Sequence, residues 1–204
     1  LRSRRFEQIN KNLYIQIKIV SSVSTGKFKT SMTGKTVSAA GAILFTLCLG
    51  LMPVSGEIAV AAAQPPAVNR PMTGQLPYPY DESADAHAEV EAAIKRAADE
   101  HRMVLLDFGG NWCPDCRMTA GVLAMDEVKP WIARTFEVVM IDIGRLNKNM
   151  DIGERYGVTI KAVPTFIVLD GQGRRINAGN PAALKDARGM TPQAIIDTIY
   201  GWTQ

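Results

Sequence analysis

The chain is poor in the residues that build metal clusters. Its 204 residues include three cysteines and two histidines. His87 and His101 are not spaced to share a metal, so both read as solvent-exposed side chains. A structural zinc needs four ligands, and Cys113 and Cys116 have no second Cys or His pair to complete the set. Only a half-site bridged by a dimer would remain, so no metal and no cofactor is expected. A long apolar run is missing too. Ala39 to Met52 is free of charge but about 14 residues long, short of the roughly 20 that cross a bilayer as a helix. There is also no strong excess of one charge. Residues 1–63 hold eight Lys/Arg against two Asp/Glu, and residues 64–204 hold fifteen against eighteen. The basic excess belongs to the N-terminal stretch, the rest is mildly acidic, and nothing argues for a nucleic-acid surface.

What is present falls into four stretches. Residues 1–31 are basic and weakly patterned, begin with Leu1, and read as a disordered extension, with Met32 a candidate true start. Residues 32–63 read as a signal peptide or an uncleaved N-terminal anchor. Lys35 lies in the n-region, Ala39 to Met52 is the apolar core, and Ala61-Ala62-Ala63 offers a cleavage site before Gln64. Leu47 stands before Cys48, where a lipoprotein signal carries a small residue, so Cys48 reads as one more apolar residue. An exported, periplasmic protein is expected. Residues 64–80, with five prolines, read as a linker or extended arm, with Tyr78 and Tyr80 docking on the domain. Residues 81–204 are the expected folded domain.

The informative stretch is Phe108-Gly109-Gly110-Asn111-Trp112-Cys113-Pro114-Asp115-Cys116. It follows an apolar run, Met103 to Phe108, that reads as a buried strand, and precedes a helical pattern. Cys113 therefore falls at a helix N-terminus, where free N–H groups and the helix dipole favour a thiolate. Cys116 lies one turn further in, within reach of a disulfide. Such a pair is a reversible two-electron redox site.

These residues resemble the thioredoxin superfamily, above all exported bacterial thioredoxin-like proteins and the C-terminal domain of transmembrane disulfide reductases. Trp112 to Cys116 is similar to the active-site motif. Asp107 stands where thioredoxins carry an acid at the end of the central strand. Val163-Pro164-Thr165 before Phe166 to Leu169 is similar to the cis-proline loop and its strand. The resemblance implies an α/β thioredoxin fold in a single domain, with a central mixed sheet flanked by helices. It also implies a thiol–disulfide oxidoreductase in which Cys113 attacks a substrate disulfide and Cys116 resolves the mixed disulfide. Asp107, a buried acid, takes the Cys116 proton. Trp112 shields one side, and Pro164, if cis, aims Val163 or Thr165 at the substrate chain. Pro114 and Asp115 tune the potential. The Asp115 charge disfavours the thiolate, which points to a reductase of exported proteins rather than a disulfide donor. A disulfide donor or isomerase of the same fold, and a binding module with a structural disulfide, are the alternatives. Protein thiols and disulfides and a membrane redox partner are the expected partners of a monomer.

Along the domain, Ser83 to His101 reads as a helix capped by Ser83. Helix from Cys113 to about Met125 is followed by a second piece capped by Asp126 and ending near Thr135, with Pro130 in its first turn. Gly121 stands where thioredoxins have a kinking proline. Phe136 to Ile143 and Phe166 to Leu169 read as strands, and Asp151 to Gly157 as a short helix. Asp170 to Gly173 reads as a hairpin turn returning through a strand from Arg174 to Ala178. Residues 179–190 have no pattern. Thr191 and Pro192 start a last helix through Trp202, with Ile195, Ile196 and Ile199 inward.

Overall fold

Seven consecutive buried residues, Met103–Gly109, form β1, and a strand buried on both faces needs cover above and below. The structure, a computed structural model, describes residues 62–204, all within one compact unit, Val54–Gln204. The expected extension and leader therefore lie outside the described residues, apart from positions 62 and 63. β1 is the middle of three strands. It pairs in parallel with β2 (Phe136–Asp142) and antiparallel with β3 (Thr165–Leu169), a mixed sheet of order β2-β1-β3.

Strand periodicity sorts β1 between two cores. Val104, Leu106 and Phe108 pack with Ile141 and Ile167 against Ala86, Val90, Ala93 and Ala97 of α1 (Ala86–Asp99). Met103 and Leu105 take the other face, with Phe166, Val168, Trp131 of α3 (Lys129–Thr135), and Ile195, Ile196 and Ile199 of α5 (Pro192–Gly201). α2 (Pro114–Leu123) leaves the top of β1, and α4 (Met150–Arg155) precedes β3. The same alternation gives Asp107 the face of Met103 and Leu105.

Several local expectations are corrected. Ser83 does not cap α1. Asp85 does, accepting the Ala88 N–H at 3.1 Å, while the Ser83 hydroxyl and N–H are donated to Asp81. The helix ends at Asp99, and His101 turns left-handed at φ 53°. Asp126 caps nothing: Val128 holds the cap position of α3 without a side-chain bond, although Pro130 lies in the first turn as expected. The returning strand at residues 174–178 is a single bridge between Leu169 and Arg175. Beyond it the Asn177 amide does the work of a backbone. Its Oδ1 accepts the Val168 N–H at 3.0 Å and its Nδ2 donates to the Phe166 carbonyl at 3.1 Å.

Residues 63–80 run across the domain without helix or strand, and the domain grips them at several points. Trp131 Nε1 donates to the Ala63 carbonyl at 2.7 Å, and Gln193 Oε1 accepts the Val68 N–H at 2.6 Å. Arg70 pairs with Glu127 at 2.6 Å. Arg117 of α2 donates to the Pro77 and Leu76 carbonyls at 2.9 and 2.8 Å, with its guanidinium 3.7 Å from the Tyr78 ring centre. The arm passes over Gly121, where a Cβ would meet Met72 Cε at 3.0 Å and Leu76 Cδ2 at 3.5 Å. The bare Cα here makes room for the arm.

Residues 179–190 are also built in. The Pro181 carbonyl accepts the Phe166 N–H at 2.8 Å. Leu184 and Ala187 enter the core beside α5, and Ala187–Gly189 makes one 3-10 turn against the start of α2.

Candidate active site

β1 delivers the site and α2 completes it. Gly109 ends the strand, Gly110 to Trp112 turn, and Cys113 becomes the N-cap residue of α2, with Pro114 in the first turn. Proline suits that position because its missing N–H is one the helix would not use. The Cys113 sulfur accepts the Cys116 N–H at 3.2 Å, as a capping oxygen would. Both cysteines are free thiols. Cys113 retains 4% of its surface and Cys116 none. Cys113 is thus the more exposed of two buried sulfurs.

Their proton affinities differ in the expected sense. The hydrogen bond shared with Cys116 is the largest influence on Cys113 and brings it down to about 7, helped by the backbone N–H groups of Cys116 and Asp115 against the cost of burial. Cys116 is pushed far up by the same shared bond, then by burial and the Asp107 charge. One sulfur is acidified at the cost of the other, which suits an attacking and a resolving thiol.

Asp107 lies beneath them, completely buried. Burial raises its carboxyl from 3.8 to about 8; the Tyr80 hydrogen bond opposes this and the Cys113 charge adds to it. The Tyr80 hydroxyl donates to Oδ1 at 2.9 Å, while among the described residues Oδ2 has no hydrogen-bond partner. Tyr80, Cys113 and Cys116 form one small cluster with Met140 and Val163 at its edge. A Cβ on Gly109 would fall 2.3 Å from the Tyr80 hydroxyl and 2.8 Å from Cys116 Sγ. Hydroxyl and sulfur therefore meet over that Cα.

The remaining expected residues divide. Val163–Pro164 is cis, and the Val163 carbonyl lies 3.9 Å from Cys113 Sγ. Thr165 is paired with Phe108 in the sheet, buried, with its hydroxyl donated to the Ala162 carbonyl at 2.7 Å. That leaves Val163 as the backbone beside the sulfur. Trp112, 38% exposed, forms the rim; its Nε1 donates to the Gly144 carbonyl at 2.5 Å, and the Arg145 guanidinium lies 4.7 Å from its ring. Asp115 is not a bare charge. The Arg188 N–H and Nε both donate to its Oδ1, at 2.9 and 3.1 Å.

Three contributors escape sequence reasoning. Tyr80 is expected to dock, but not on Asp107. Asn111 grips the arm from both sides: its Oδ1 accepts the Tyr80 N–H at 3.1 Å and its Nδ2 donates to the Tyr80 carbonyl at 2.7 Å. Arg188 comes from a stretch without pattern. The one available signal was Asn111 inside the motif, an amide with a donor and an acceptor and no local duty.

Two thiols of unlike acidity over a buried acid can cycle between dithiol and disulfide, which is the property of a redox class rather than of one protein. A family model described as thioredoxin-like matches residues 85–171. Thioredoxin 1 of Synechococcus elongatus is 33% identical over 89 residues, 43% of this chain and 77% of that protein. The solved disulphide isomerase of Xylella fastidiosa is 35% identical with a TM-score of 0.59, over 64% of this chain and 100% of that one. The chain belongs to the thioredoxin superfamily. It is also 32% identical over 106 residues to the peptide-N(4)-(N-acetyl-beta-glucosaminyl)asparagine amidase of Caenorhabditis elegans, but spans 15% of that relative's length.

Proposed function

We propose that the protein is a thiol–disulfide oxidoreductase that reduces disulfides of exported proteins. Cys113 attacks the substrate disulfide and Cys116 closes the internal disulfide, releasing the reduced substrate. Asp107 accepts the Cys116 proton. Val163 offers its backbone to the substrate chain while Pro164 shapes that loop, and Trp112 bounds the site. The observation that carries the reading is the arrangement of the pair: Cys113 caps α2 and accepts the Cys116 N–H at 3.2 Å, with the carbonyl of the cis Val163–Pro164 bond 3.9 Å from its sulfur and the buried Asp107 carboxyl nearby. The Cys113 thiol, lowered to about 7 chiefly by the hydrogen bond it shares with Cys116, agrees with an attacking role. Electrons would come from a membrane redox partner, and the N-terminal stretch would carry the domain across the membrane.

Insulin reduction driven by dithiothreitol tests the activity. Turnover is expected in the wild type and none in Cys113→Ser; equal rates in the two overturn the proposal. A redox potential near −270 mV is expected, and one near −120 mV assigns the reverse direction. The Xylella protein, a disulphide isomerase at 35% identity, favours isomerase as the second reading. Recovery of activity from scrambled ribonuclease without added reductant would select it.

A further inference from the structure

We propose that Tyr80, brought in by the N-terminal arm, is a positioning residue of the redox site: its hydroxyl occupies Oδ1 of Asp107 and so reserves Oδ2 for the proton of Cys116. The inference rests on Cys113 and Cys116 being an exchanging pair, and it adds a residue 27 positions before β1's acid.

The geometry is specific. The Tyr80 ring is 3% exposed and its hydroxyl has one carboxylate oxygen at 2.9 Å. The other oxygen is buried and, among the described residues, unpartnered. A buried polar atom left bare costs stability, so its persistence asks for a use. The sulfur that needs a base is close to this pair: Cys116 Sγ and the Tyr80 hydroxyl converge over Gly109, and the Asp107 charge acts on the Cys116 thiol. Asn111 fixes both backbone groups of Tyr80, which ties the arm to the active-site turn. Among the described residues, the titratable groups facing the carboxyl are Tyr80 from the arm and Cys113 and Cys116 from α2. Its partners in the sheet, Met140 and Phe166, do not titrate.

The step balances. The step starts from the ionised form of Asp107, which is populated as pH rises toward about 8: the Cys116 S–H bond breaks and its proton goes to Oδ2. The new sulfur–sulfur bond forms between Cys116 and Cys113. The bond from Cys113 to the substrate sulfur breaks, and its electron pair leaves on the substrate thiolate. Tyr80 keeps its own proton throughout and donates to Oδ1 before and after, so the acid changes protonation without turning.

The test uses Ellman's reagent, which needs no protein substrate. Reaction at Cys113 releases one thionitrobenzoate, and resolution by Cys116 releases the second. Tyr80→Phe keeps the ring and removes the hydroxyl. The pH midpoint of the second release is expected to move up by about one unit, as for a lost hydrogen bond to a charged group. The first release keeps its rate within about twofold. In an Asp107→Asn background, Tyr80→Phe should add nothing further. An unmoved midpoint, or an undiminished effect in that background, overturns the inference. Should Tyr80→Phe not fold, Asn111→Ala is read in its place by the same criteria. Inactivity on insulin with normal two-phase release would strike the proposed function and leave this inference standing.

Discussion

At the scale of single residues, Asp107 is a carboxyl with no exposed surface. A carboxyl group shut away from water holds its proton, and this one titrates near 8 against an ordinary 3.8. Between those values the unfolded chain is ionised and the folded chain is not. The unfolded state then binds fewer protons, so stability falls as pH rises through that window and levels off above it. Asp107→Asn should flatten this dependence and be more stable at about pH 8 by on the order of a few kcal/mol, measured by urea unfolding at both ends of the window. An unchanged slope would show that another group sets it. Asp107 was legible in the sequence because an acid in an apolar strand is an anomaly. Tyr80 was not: an aromatic among prolines carries no period, and its partner is fixed only by the tertiary fold.

At the scale of elements, the N-terminus of α2 is where strand, helix and the 179–190 segment meet. Behind the Cys116 hydrogen bond, burial and the backbone N–H groups, the Asp115 carboxylate charge is a small upward influence on the Cys113 thiol, and the Arg188 guanidinium pairs with that carboxylate from outside. Arg188→Ala removes the counter-charge, and the thiol should titrate above its present value of about 7. The thiolate fraction at neutral pH then falls below roughly one half. The ultraviolet absorbance of the thiolate against pH measures it, and a lower midpoint contradicts the assignment. Elements with a strong period, β1, α1 and α5, were readable to within a few residues. The expected strand after Gly173 was not realised, because Asn177 satisfies β3 with a side-chain amide, and an amide imitating a backbone leaves no alternation to read. Likewise Ser83, Asp85 and Asp126 are all capping types, and only the course of the chain decides among them.

At the scale of the whole molecule, the arm makes the domain larger than its motif. Residues 63–80 are gripped from α2, α3 and α5, and they seat Tyr80 at their end. Gly121→Leu puts a side chain where Met72 and Leu76 lie. It should cost about 1–3 kcal/mol of stability and expose residues 64–80 to limited proteolysis while the core stays intact. A variant as resistant as the wild type would show that the arm does not depend on this gap. Proline content reads as a linker or extended arm. It could not announce adhesion, since the gripping residues, Trp131, Arg117 and Gln193, are spread over three helices.

The outer edge of β3 bears on how copies of this protein meet. At Phe166 and Val168 each outward N–H and C=O is already taken, by Pro181, Asn177 and Ile176. The opposite edge, β2, carries Glu137 held by Arg96 and Arg102, a charged border of the kind that discourages strand pairing. With one edge filled and the other bordered by charge, strand-by-strand addition of further copies is disfavoured at both sides of the sheet.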